Sequence, residues 1–123
     1  MNLLILGGTG FVGPHLARTA LELGHAVTLF HRGRTPLPAD LAGAARDGRL
    51  DELLGDRDPE DPSGCGGLAS LEGDRRWDAV LDLSGYVPRI VGASAELLAG
   101  RADLYLFVSS ISVYATPVPI ACT

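Results

Sequence analysis

Lysine is absent: all ten basic residues among the 123 are arginine. This removes any mechanism that needs a lysine amine, including a Walker-type phosphate loop and a Schiff base. Cysteine occurs twice, at Cys65 and Cys122, which is too few for a disulfide framework and fits no metal-ligand spacing. Two free thiols suit a reducing compartment, so the expected location is cytoplasmic. No apolar run approaches the ~18 residues of a membrane span. The start, Met1-Asn2-Leu3-Leu4-Ile5-Leu6, has no basic region and runs straight into glycines, unlike a signal peptide. Positive charge is scarce as well. Ten basic against fifteen acidic residues leave a net charge of −5, which argues against a general binder of nucleic acid or anionic membrane.

What remains is a chain able to bury a core. Hydrophobic residues make up 46% and charged residues 20%, and the length suits one domain over residues 1–123. Short apolar runs alternate with helix-period segments. Residues 3–6 form a continuous apolar run ending in Gly7-Gly8, as expected of a strand buried on both faces. Residues 11–23 carry apolar side chains near helical period, and Gly24 ends them. Residues 26–30 form a second strand, completing a βαβ unit. Residues 39–45 fit a short helix. Residues 50–54 fit both a third strand, which the topology requires, and a helix through Leu50, Leu53 and Leu54. Residues 58–67 are a loop rich in proline and glycine, and residues 68–71 fit one helical turn. A strand over 79–83, a helix over 88–98 opened by Pro88, and a fifth strand over 104–108 follow. The expected fold is α/β, a doubly wound parallel sheet of Rossmann type, with five strands in the order 3-2-1-4-5. Residue 123 comes soon after the fifth strand, so the domain is expected to be truncated and to expose a sheet edge through which copies of the chain can associate.

The most informative segment is Gly7-Gly8-Thr9-Gly10-Phe11-Val12-Gly13. It follows a strand and opens a helix, as a dinucleotide's phosphates require. Gly7 allows the tight turn, Gly10 lets the backbone approach a pyrophosphate, and Gly13 lets the helix pack closely on the sheet. Free N–H groups of this turn and the helix dipole attract phosphate, so Thr9, Phe11 and Val12 join the three glycines as candidate binding residues. An NAD site places Asp or Glu at the end of the second strand to bond the ribose hydroxyls. Here that place is taken by His31, followed by Arg32, Gly33 and Arg34. Two guanidiniums there suit a 2′-phosphate, which favours NADP over NAD.

These residues, with Gly55-Asp56-Arg57-Asp58 and Phe107-Val108-Ser109-Ser110-Ile111-Ser112-Val113-Tyr114, resemble the NAD-dependent epimerase/dehydratase family. Those are the extended short-chain dehydrogenases/reductases, and the likeness lies nearer their atypical NADP-type members. It spans essentially the whole chain, while family members are usually more than twice as long. The resemblance implies that Asp56 bonds the adenine amino group with the Arg57 backbone alongside. It places Leu83, Ser84 and Gly85 along the nicotinamide-side ribose, and Ser109 beside the cofactor. It makes Ser110 the catalytic hydroxyl, bonding the reacting substrate oxygen. Tyr86 lies next to this edge and equally suits packing under the following helix. Tyr114 does not match the family's catalytic tyrosine, which stands in Tyr-x-x-x-Lys. With no lysine, this sequence contains no such motif, and no lysine is present to lower a tyrosine pKa for proton exchange.

The expected function is thus the NADP-binding portion of an epimerase/dehydratase-like oxidoreductase. Its longer parent would move hydride on a sugar-nucleotide-like carbonyl or hydroxyl substrate. The other reading is a non-catalytic nucleotide-sensing or interaction module on the same fold. A titration comparing NADP with NAD bears on the first reading. Sequence beyond position 123 reaching a Tyr-x-x-x-Lys separates it from the second.

Overall fold

A computed structural model describes residues 1–58, 67–85 and 87–109. Five parallel strands form one sheet: β1 (Asn2–Leu6), β2 (Ala26–His31), β3 (Leu50–Leu54), β4 (Trp77–Asp82) and β5 (Ala102–Phe107), in the order β3-β2-β1-β4-β5. The sheet order matches the sequence expectation. Helices α1 (Gly13–Glu22), α2 (Ala39–Arg46) and α3 (Pro88–Leu98) connect it, with one 3-10 turn at Ala69–Leu71.

The central strand accounts for the two-layer core. Side chains alternate across a strand, and β1 is apolar at both sets of positions. Leu3 and Ile5 pack with Val27, Leu29, Leu50, Ala17 and Leu41 on one face. Leu4 and Leu6 pack with Phe30, Trp77, Val80 and Leu98 on the other. Helices α1 and α2 end alike. Past α1, Gly24 takes φ 84° and its N–H bonds Leu21 O, while His25 N–H reaches Ala20 O. Past α2, Gly48 at φ 77° and Arg49 repeat this pattern on Ala45 O and Ala44 O. A left-handed residue satisfies the last carbonyls, which is why glycine follows each helix.

Several boundaries differ from expectation. Helix α1 starts at Gly13 rather than at residue 11, because Phe11 and Val12 are exposed and their helical spacing belongs to no core face. The ambiguous segment is a strand: Leu50 pairs with Val27 and Leu54 with His31. Strand β4 begins two residues early, since Trp77 is buried and pairs with Ala102, which draws β5 back as well. Among the described residues β5 is the edge strand, pairing with β4 and exposing Leu104 and Leu106. No helix among the described residues is long and apolar enough to cross a membrane.

Candidate functional site

The strand order reverses between β1 and β4, and open α/β sheets bind ligands at the carboxyl edge of such a point. There a cleft of about 610 Å³ is lined by residues from the turns after β1, β2, β3 and β4.

The β1–α1 turn lines it through Gly7 and residues 9–13, and its glycines differ in cause. Gly7 has φ 86°, and an added Cβ would stand 2.6 Å from the Ser84 Cβ. At Gly13 a Cβ would lie 2.5 Å from Gly8 backbone, so this glycine lets α1 sit directly on the turn. Gly10 differs: its Cβ would meet nothing nearer than Gly7 O, at 3.7 Å. The protein's own packing does not require glycine there, while a phosphate approaching the backbone would. The first N–H groups of a helix are free, and Pro14, in the first turn of α1, removes one that had no intrahelical partner.

The end of β2 is organised by His31, which is buried. Its Nδ1 accepts the Gly33 N–H at 3.0 Å, so Nε2 carries the proton and donates to Glu52 Oε1 at 2.6 Å. Gly33 takes φ 77°, and the turn presents Arg32 and Arg34 to the cleft. The acid missing from the end of β2 is thus present on neighbouring β3, occupied in holding the histidine. Sequence reasoning did not find Glu52. Only the β2–β3 register brings it to His31.

The turn after β3 also borders the cleft. Asp56 is buried, and its Oδ1 accepts the Asp58 N–H at 2.9 Å. Its Oδ2 is buried with no partner among the described residues. A buried unpaired acceptor is costly, and a group carrying a hydrogen-bond donor would relieve it. Phe30, Gly55 and Ile90 also line the cleft.

Arg57 lies beneath. Its fork binds the fully buried Asp82 twice, Nη1–Oδ1 at 2.5 Å and Nη2–Oδ2 at 2.8 Å. It also donates from Nε to Ser94 Oγ and from Nη1 to Ser84 Oγ, each at 3.1 Å. Tyr105 donates its hydroxyl to Asp82 Oδ2 at 2.6 Å. Burial, and then Asp82, raise that hydroxyl's pKa well above the ordinary tyrosine range. The resemblance assigned a role only to the Arg57 backbone; its side chain and Asp82 each make four hydrogen bonds under the cleft. Asp58 and Arg89 form an ion pair at 3.0 Å on its rim.

Leu83, Ser84 and Val108 complete the lining. At Gly85 a Cβ would strike Val91 and come within 2.9 Å of the Phe107 ring, so packing there requires glycine. Ser109, exposed, follows Val108 at the end of the described β5 segment. Ser110, Ser112, Tyr86, Tyr114, Cys65 and Cys122 lie outside the described residues. Among the described residues no group of three or more His, Cys, Asp or Glu side chains is placed to hold a metal ion.

A parallel 3-2-1-4-5 sheet with a glycine turn at the switch point defines a Rossmann-type α/β domain. Residues 3–120 match the NAD dependent epimerase/dehydratase family, and the chain belongs to it. Among curated proteins it is 35% identical over 119 residues to the chloroplast stem-loop binding protein of 41 kDa b of Arabidopsis thaliana, covering 92% of this chain and 30% of that protein. It is 30% identical over 146 residues to UDP-glucose 4-epimerase 3 of Oryza sativa subsp. japonica, covering 98% and 37%. A UDP-glucuronic acid 4-epimerase from Bacillus cereus, solved with NAD and UDP-4-deoxy-4-fluoro-glucuronic acid, superposes with a TM-score of 0.64 at 20% identity, over 100% of this chain and 45% of that one. The chain thus spans about a third of the length of these curated relatives.

Proposed function

We propose that this chain is the NADP-binding portion of an oxidoreductase of the epimerase/dehydratase family. In a longer protein it would serve hydride transfer on a carbonyl or hydroxyl of a sugar-nucleotide-like substrate. The observation that carries the reading is the buried Asp56 Oδ2, without a partner among the described residues, in a cleft that also holds Gly10, where no described residue crowds a Cβ. An amino-bearing base would meet the first and a pyrophosphate the second. NADP rather than NAD rests on Arg32 and Arg34 beside the cleft, with His31 shaping the turn that carries them.

In this reading the nicotinamide, when bound, supplies the hydride chemistry. The N–H groups from Thr9 to Gly13 hold the pyrophosphate, Asp56 accepts from the adenine amino group, and Arg32 and Arg34 take the 2′-phosphate. Leu83, Ser84 and Gly85, with Ser109, border the nicotinamide-side ribose, and Ser110 bonds the reacting oxygen. The sequence contains no Tyr-x-x-x-Lys, so the proton-exchanging pair is not in these 123 residues. Calorimetric titration with NADP and with NAD tests the reading. NADP is expected to bind more tightly, by about tenfold, and to lose that margin in Arg32→Ala. Equal affinity for the two dinucleotides overturns the NADP assignment.

A second reading is a non-catalytic nucleotide-sensing or interaction module. It is favoured by the 35% identical relative, a stem-loop binding protein by name, and by the absent lysine. The net charge of −5 counts against contact with a nucleic-acid backbone. Retention of a labelled RNA stem-loop at 150 mM salt would favour this reading; none is expected.

A further inference from the structure

The buried fork of Arg57 joins the turn after β3 to the β4 exit and α3, which no backbone hydrogen bond joins to that turn among the described residues. It leaves the chain one residue after Asp56, on the turn following β3. It ends on Asp82 and Ser84 of the β4 exit and on Ser94 of α3. Ser84 in turn sits against the glycine turn, with its Cβ and Oγ 2.6 and 2.8 Å from where a Gly7 Cβ would be. One side chain therefore ties the adenine end, the turn at the middle and the β4 loop into a single unit.

The chemistry of each contact matters. Ser84 Oγ accepts from Arg57, so its own hydroxyl proton is left to donate elsewhere. Asp82 Oδ1 also accepts the Ser84 N–H, at 3.3 Å, so the pair fixes both the backbone and the side chain of Ser84. Only a planar, multi-donor fork can meet Asp82 twice while also reaching two serines. Arg57 is 7% exposed and Asp82 0%, so water does not substitute for either partner.

We infer that Arg57 is a positioning residue for the dinucleotide: it holds the Ser84 side of the cleft at a fixed distance and orientation from the Asp56 side, so that both halves of one ligand are met at once. The inference rests on the dinucleotide reading above. A ligand that reaches only the adenine half does not need the tie, whereas one spanning both halves does.

The test compares adenosine 2′,5′-bisphosphate, which carries the adenine half, with NADP, which carries both, by calorimetry on this chain. Two variants are used. Arg57→Lys keeps a positive charge against Asp82 but cannot form the fork. The double variant Arg57→Met with Asp82→Asn removes both charges together, which leaves no buried ion unpaired, and keeps an acceptor for the Ser84 N–H. In each variant that melts cooperatively, the NADP-to-bisphosphate affinity ratio is expected to fall about tenfold, with bisphosphate affinity within about twofold of the original. A folded variant that keeps the original ratio overturns the inference, including one in which both affinities fall in step, since that is what a merely structural residue would give. If the unaltered chain binds neither ligand, the inference falls together with the dinucleotide reading.

Discussion

His31 and Glu52 stand on neighbouring strands, 2.6 Å apart through the histidine Nε2. The contact fixes which ring nitrogen is the acceptor, and that nitrogen holds the Gly33 N–H. Replacing His31 by Phe removes both bonds while filling similar space. NADP affinity is expected to fall about fivefold, the equivalent of one ordinary hydrogen bond, with NAD affinity nearly unchanged, because in the proposed complex only the 2′-phosphate would meet Arg32 and Arg34. Glu52→Gln keeps an acceptor oxygen for Nε2–H and is expected to bind NADP almost as the unaltered chain does. Equal losses for NADP and NAD in His31→Phe, measured by calorimetry, would show that the turn does not select the phosphate.

Two glycines in the same turn should respond in opposite ways. Gly10→Ala has room, and its φ is not in the left-handed region, so the melting temperature is expected to hold or rise slightly, by the equivalent of about 0.4–1 kcal/mol. Dinucleotide binding is expected to be lost. Gly13→Ala forces a Cβ to 2.5 Å from Gly8 backbone and is expected to destabilise the fold by at least about 1–3 kcal/mol. A thermal melt of each variant with and without NADP separates them. A Gly10→Ala protein that binds NADP normally would remove the phosphate from this turn.

Asp56→Asn keeps an oxygen for the Asp58 N–H and can put an amide donor where Oδ2 now lies unpartnered. Two donors then face each other in an adenine complex. Affinity for both NAD and NADP is expected to fall about tenfold or more, in line with about 1–3 kcal/mol for an unsatisfied buried group. An unchanged affinity for AMP, the simplest adenine ligand, would count against Asp56 as the contact.

How much of this was legible before the fold was known follows from distance along the chain. The glycine turn is local: strand, glycines and helix lie within about twenty residues, and each glycine's spacing follows from a single turn. The double-sided burial of β1 was legible for the same reason, because a continuous apolar run has no solvent face. Strand β3 was ambiguous because Leu50, Leu53 and Leu54 satisfy two periods, and only pairing with β2 decides between them. Phe11 and Val12 extended the apparent helix although no core awaited them. The two pairs that shape the site join residues 21 and 25 positions apart: His31 on β2 with Glu52 on β3, and Arg57 on the turn after β3 with Asp82 on β4. Their meeting depends on register and strand order, which composition and periodicity do not encode. The sign that was available was the pairing of a charged residue type with a buried segment: Asp82 follows the apolar run from Ala79 to Leu81, and a buried carboxylate calls for an arginine.

The alkaline limit of stability reports on the same network. Burial first, and then the Asp82 carboxylate, raise the Tyr105 hydroxyl. The fold therefore favours the neutral phenol. That contribution is fully present below the ordinary tyrosine value of about 10 and is lost as pH climbs from there toward the raised value. Tyr105 is only half-buried, so the effect is small. In Tyr105→Phe the melting temperature is expected to fall less steeply above about pH 10 than in the unaltered chain. Identical slopes for the two proteins would show that the hydroxyl is not held by Asp82 in solution.

The most direct measurement is a two-dimensional amide NMR titration of the isotope-labelled chain with NADP. Amide shifts are expected in the turn from Thr9 to Gly13, at Arg32 to Arg34 and at Asp56 to Asp58, with the outer residues of β5 and the far ends of α1 and α2 unmoved. Shifts confined to the exposed edge of β5, or none in the glycine turn at saturating NADP while the chain stays folded, would contradict a dinucleotide site in this cleft.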